Sequence, residues 1–144
     1  IRVPGYDIVH LATHGRLDAK NPELSNIELA DRVLSYGDIP TLSPTKTNLV
    51  VLSACQTAVL SGGSGLEIAG LAYQFQRGQV HSVMATLWEV DDRATADLMG
   101  RFYQEVKAGK SYAEALSLAQ RQMIADPTLA HPGLWASFML MASP

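Results

Sequence analysis

"NLVVLSA", residues 48–54, is an apolar and largely β-branched run that leads straight into Cys55, the chain's only cysteine. It is short enough for a strand, and almost every position is apolar, the pattern of a strand buried on both faces. "YDIVHLA", residues 6–12, has the same character and runs into Thr13 and His14. "VHSVMATLW" (80–88) is a third such run and "WASFMLMA" (135–142) a fourth. Packing alone does not require a histidine and a cysteine where two buried strands end.

The segments between these runs carry helical signals. Ser64 and Glu67 make a capping box before "LEIAGLAYQFQR", and Gly78 is the expected stop. In "DDRATADLMGRFYQEVKAG", Leu98, Met99, Phe102, Tyr103 and Val106 form an i, i+3, i+4 stripe. Asp91 or Asp92 is a ready N-cap there, and Gly109 a fitting end. Ser111 and Glu114 cap a third helix whose Ala113, Leu116, Ala119, Met123 and Ile124 are expected to face one way, with Pro127 closing it. Residues 13–47 differ. Their "SNIELADRVLSYGDI" predicts a short hairpin or strand, then a helical turn near Asp38. Alternation of buried strands with helices predicts an α/β fold with a mostly parallel sheet covered by helices, in one domain.

Composition narrows the function classes. With 144 residues, 47 % of them hydrophobic and 17 % charged, the chain can bury a core and is no disordered tail. No apolar run reaches the 18 residues of a membrane-spanning candidate. A net charge of −3 with scattered Lys and Arg offers no footprint for nucleic acid. A single cysteine cannot form an internal disulfide, which fits a reducing compartment and predicts a cytoplasmic protein. The opening "IRVPGYDIVH" has neither a Met nor a signal-peptide pattern, so the chain is expected to be a piece of something longer.

Functional groups of parallel α/β sheets collect at the carboxyl ends of the strands. If the two strands are neighbours, the His14 imidazole and the Cys55 thiol meet across one crevice. That arrangement serves nucleophilic catalysis: the imidazole takes the thiol proton and the thiolate attacks a carbonyl. The backbone N–H groups of Gly15 and Cys55 are candidate oxyanion donors. Blander readings stand beside this one, since a lone cysteine is commonly a small buried hydrophobe and a strand-end histidine a structural one. His10 and His14 would share a face on a continuous strand, but no further Cys or His lies at ligand spacing, so no metal is expected. His10 is instead read as a packing or hydrogen-bonding residue. "SGGSGLE" lacks the Lys of a phosphate loop, and Leu66 breaks G-x-S-x-G. Gly62, Gly63 and Gly65 are read as flexibility beside the Cys55 crevice. Trp88 and Trp135 are expected in the core, with Trp88 also placed to line a substrate pocket.

Taken in order, "ATHG", "LSACQTA", "ATLWEVDDRATADLM", "FYQEV", "SYAEALSLAQ" and "HPGLWASFMLM" resemble the CHAT family of caspase-like cysteine peptidases, relatives of caspases and separase. The resemblance covers nearly the whole chain. It implies a caspase-like three-layer α/β/α sandwich and a His–Cys dyad, which falls on His14 and Cys55. These stand 41 positions apart, 55 minus 14, similar to the roughly 50 of caspases. Family domains normally begin further upstream, often after helical repeats, so residues 1–144 are expected to be the C-terminal catalytic part. The expected substrate is a protein or peptide, with no cofactor. "LWEVDD" is similar to the separase segment in which an acidic residue receives a basic side chain. The expected substrate-binding set is therefore Asp92 first, then Asp91, with Glu89, Trp88 and Ser53. The strand at 6–12, deprived of its upstream neighbour, is expected to expose an edge that upstream sequence covers or that self-associates. A non-catalytic interaction or scaffold module on the same fold is the competing class, and a nucleotide-binding α/β domain a third.

Overall fold

The computed structural model describes residues 5–18, 20–42, 46–53 and 66–142. The four apolar runs form strands β1 (Ile8–Leu11), β5 (Leu49–Leu52), β6 (Ser82–Thr86) and β7 (Phe138–Ala142), side by side in the order β1-β5-β6-β7. Both β1 and β6 run parallel to β5, with Ile8 level with Leu49 and Leu11 level with Leu52 and Ala85. Residues 15–35 supply a second, antiparallel sheet of β2 (Gly15–Arg16), β3 (Asn26–Glu28) and β4 (Val33–Ser35). Three helices, α1 (Leu66–Arg77), α2 (Asp92–Lys107) and α3 (Tyr112–Ala125), complete the elements. This is the mixed α/β architecture with a mostly parallel sheet that the sequence predicts, compatible with a caspase-like sandwich.

The chain divides into two units, one of residues 1–89 with 141–144, the other of residues 90–140. In the first, α1 buries Ile68, Leu71, Ala72 and Phe75, an i, i+3, i+4, i+7 face. They pack with Val50 and Leu52 of β5 and Val83 and Ala85 of β6. Alternate residues of a strand face opposite sides, so these four define the α1 face of the sheet. Ile27 and Leu34, paired across β3 and β4, turn into the same core, as do Ile39 and Leu42 of the 3-10 turn that follows Asp38. The hairpin and the turn near Asp38 are thus where the sequence places them.

Helix α1 ends at Arg77, where Gly78 was expected to stop it, but by a different device from a glycine cap. Gly78 is not the left-handed residue; Gln79 is, at φ 73°. Gly78 serves a close approach instead, because a Cβ there would stand 3.4 Å from the Ile39 carbonyl oxygen and the Pro40 Cα. The Ser64–Glu67 capping box and the three loop glycines lie outside the described residues.

In the second unit α2 buries Ala94, Leu98, Met99 and Phe102, and α3 buries Ala115, Leu116, Ala119 and Met123. Ala113 and Ile124 are exposed, contrary to the expected stripe. Ser111 caps α3 with Glu114 in a complete capping box, and Gly109 takes φ 85° between the two helices. Both agree with the sequence. Among the described residues no helix is long and apolar enough to cross a membrane.

Candidate active site

Parallel pairing in register makes β1 and β5 end level. Leu11 and Leu52 are the last paired residues, and the Ser53 N–H still donates to the Leu11 carbonyl at 3.3 Å. His14 follows Leu11 by three residues, as Cys55 follows Leu52. The strand neighbourhood on which a dyad depends is therefore present, while Cys55 itself lies outside the described residues.

His14 is exposed and stands beyond β1, at the junction of the two sheets. Its carbonyl accepts from the Glu28 N–H at 2.8 Å, and the preceding Thr13 Oγ1 donates to the Glu28 carbonyl at 2.6 Å. The bond to His14 makes Gly15 and Ile27 a non-hydrogen-bonded antiparallel pair. In such a pair the backbone groups point away from the partner strand. The buried Gly15 thus turns its N–H away from β3.

His10 and His14 do not share a continuous strand, since β1 stops at Leu11. His10 Nε2 lies 2.9 Å from Ser53 Oγ instead. Both project from the face opposite α1, because Leu11 and Leu52, their neighbours in sequence, face the α1 core. Partial burial holds the His10 imidazole below the usual histidine pKa. The hydrogen-bonding role expected of His10 is observed, and Ser53 turns its hydroxyl to His10. This pairing was readable only as two polar residues in otherwise apolar runs, because the register that joins them is not written in either run.

Of the remaining candidates, Trp88 is exposed (37 %) at the end of β6, so the core reading does not hold for it. Trp135 is half-buried and donates through Nε1 to the Ala130 carbonyl at 3.2 Å. Glu89 is exposed. Asp91 is the α2 N-cap: its Oδ1 accepts from the N–H groups of Arg93 and Ala94, both at 3.0 Å. Asp92 is the first helical residue and is exposed. Among the described residues no cluster of three or more His, Cys, Asp or Glu could hold a metal ion.

A mixed α/β fold with this mostly parallel sheet is compatible with the caspase-like α/β class. The CHAT domain model matches residues 1–143, and the chain belongs to that family. The family is related to cysteine peptidases of the caspase kind. No curated protein matches the chain.

Proposed function

We propose that this domain is a cysteine endopeptidase in which His14 and Cys55 form the dyad. The observation that carries the reading is the level, in-register end of β1 and β5, each three residues ahead of one partner. His14 takes the thiol proton, and the thiolate adds to the scissile carbonyl carbon. The resulting oxyanion is held by the N–H groups of Gly15 and Cys55. His14 then gives its proton to the departing amine, and water, deprotonated by His14, releases the acyl group from sulfur. Gly15 supports this scheme through the direction of its N–H. A cytoplasmic location, where a lone thiol stays reduced, is proposed with it.

Asp92 is proposed to receive an Arg or Lys side chain before the scissile bond, with Asp91 committed to capping α2. Trp88 and Glu89 are exposed.

The test is labelling with a peptide electrophile that alkylates thiols. Modification of Cys55 that is lost in His14→Ala is the expected result. Indifference of Cys55 to His14 would favour the scaffold reading of the same fold. A library of cleavage sites dominated by Leu or Asp before the cut would overturn the basic subsite while leaving the dyad in place.

A further inference from the structure

We propose that His10 and Ser53 form a side-chain clamp between the carboxyl ends of β1 and β5, and that this clamp positions His14 against Cys55; the inference rests on the dyad reading above.

The need for such a clamp comes from the sheet. β1 is the terminal strand in the order of the four described strands, so β5 is its neighbour on one side only. The two strands are tied firmly where they begin: the Asn48 N–H donates to the Asp7 carbonyl at 2.8 Å, and the Thr47 hydroxyl to the Tyr6 carbonyl at 2.8 Å. At the carboxyl end the Ser53 N–H reaches the Leu11 carbonyl over 3.3 Å, beyond the usual range for an N–H···O bond. A long backbone bond thus closes the pairing at the end from which His14 and Cys55 follow in sequence. That is where the 2.9 Å contact of His10 with Ser53 crosses from strand to strand.

The chemistry of the pair suits the task. A neutral imidazole offers one donor and one acceptor nitrogen, and a hydroxyl can answer either. Burial favours that neutral form at His10. The strand positions flanking the pair on this face, Ile8, Leu49 and Val51, are uncharged. His10 precedes His14 by four residues and Ser53 precedes Cys55 by two. Each residue of chain adds at most about 3.3–3.6 Å of reach, so a lateral slip at the clamp is felt at both members of the dyad. Neither His10 nor Ser53 is asked to touch the reacting atoms. Both are positioning residues.

Alkylation of the whole chain by iodoacetamide between pH 5 and pH 9 reads this directly, because Cys55 is the only cysteine. A histidine partner lowers the pKa of a thiol and raises its thiolate fraction at neutral pH. One pKa unit changes that fraction about tenfold. Ser53→Ala and His10→Ala are each expected to move the alkylation profile upward by about a unit. The double variant should lose no more than either single one, since both remove one contact. His10→Gln, whose amide nitrogen lies near the place of Nε2, should recover part of the loss, which a purely space-filling role would not produce. If His10→Ala does not fold, Ser53→Ala carries the comparison alone, because it removes a single oxygen. A profile that shifts in His14→Ala but stays fixed in Ser53→Ala and His10→Ala overturns the clamp and spares the dyad. A profile that His14→Ala leaves unmoved overturns the dyad reading and the clamp's purpose with it.

Discussion

Two adjacent aspartates at the start of α2 show how one pair of identical side chains can divide two tasks. The Asp91 carboxylate answers two backbone N–H groups of the first helical turn. Asp91→Ala should therefore cost about 1 kcal/mol of stability, the usual worth of an N-cap, measurable by urea unfolding. Asp92→Asn should leave that stability nearly unchanged and instead raise KM for substrates with Arg or Lys before the cut. A loss of stability in Asp92→Asn equal to that in Asp91→Ala would show that capping is shared. Cys55→Ala is expected to abolish turnover while preserving the melting temperature. At this scale the sequence was legible in residue type but not in assignment. "DD" announced a cap and left open which residue it is, because both positions satisfy the spacing. The backbone turn chooses Asp91.

Elements were legible wherever a strong period coincided with a terminal signal. The end of α1 at Arg77, just before Gly78, matches the sequence reading, as does the Ser111–Glu114 box of α3. The buried face of α3 was read correctly at Leu116, Ala119 and Met123, but Ala113 and Ile124 were wrongly included and Ala115 missed. Ala115 and Ala119 lie in the core while Ile124 stays outside, 47 % exposed. Residue size at a close helix contact outweighed hydropathy. The end of α1 gives a clean backbone test. Gln79 holds a left-handed conformation that costs an L-residue roughly 1 kcal/mol, so Gln79→Gly should stabilise the fold by up to that amount. Gly109→Ala, at φ 85°, should do the reverse. Thermal melts of the two variants are expected to move in opposite directions. The capping box also sets a pH dependence. Its hydrogen bonds from Ser111, through the side chain first and the backbone second, hold the Glu114 carboxyl below its usual range. A lowered folded pKa means that the unfolded state binds the proton first. The contribution of Glu114 is thus complete above the ordinary glutamate pKa of about 4.3 and is lost as pH falls through the folded value. Glu114→Gln should remove that part of the acid sensitivity.

At the scale of the whole molecule, the buried strands and their parallel pairing followed from apolar runs of strand length separated by helices. The small β2-β3-β4 sheet was only half visible, because β2 is two residues long and its pairing with β3 is decided by burial of Ile27 and Leu34. The terminal place of β1 carries a prediction about size. Tyr6, just before it, is 65 % exposed, and Ile8 and Val9 are only half-buried. An open strand edge invites pairing. The chain is expected to self-associate through this edge in sedimentation velocity, and a strictly monomeric chain at high concentration would show that the β1 edge does not pair.

The bond from the Glu28 N–H to the His14 carbonyl has a mechanical meaning. It makes His14 the last residue governed by the parallel sheet and the first governed by the hairpin of β3 and β4. Cys55 comes after β5 in the sequence, on a different strand from His14. A displacement of the hairpin therefore reaches the His14 backbone directly, through one bond. Val33 and Leu24, both more than half exposed, are the outer handles of that linkage.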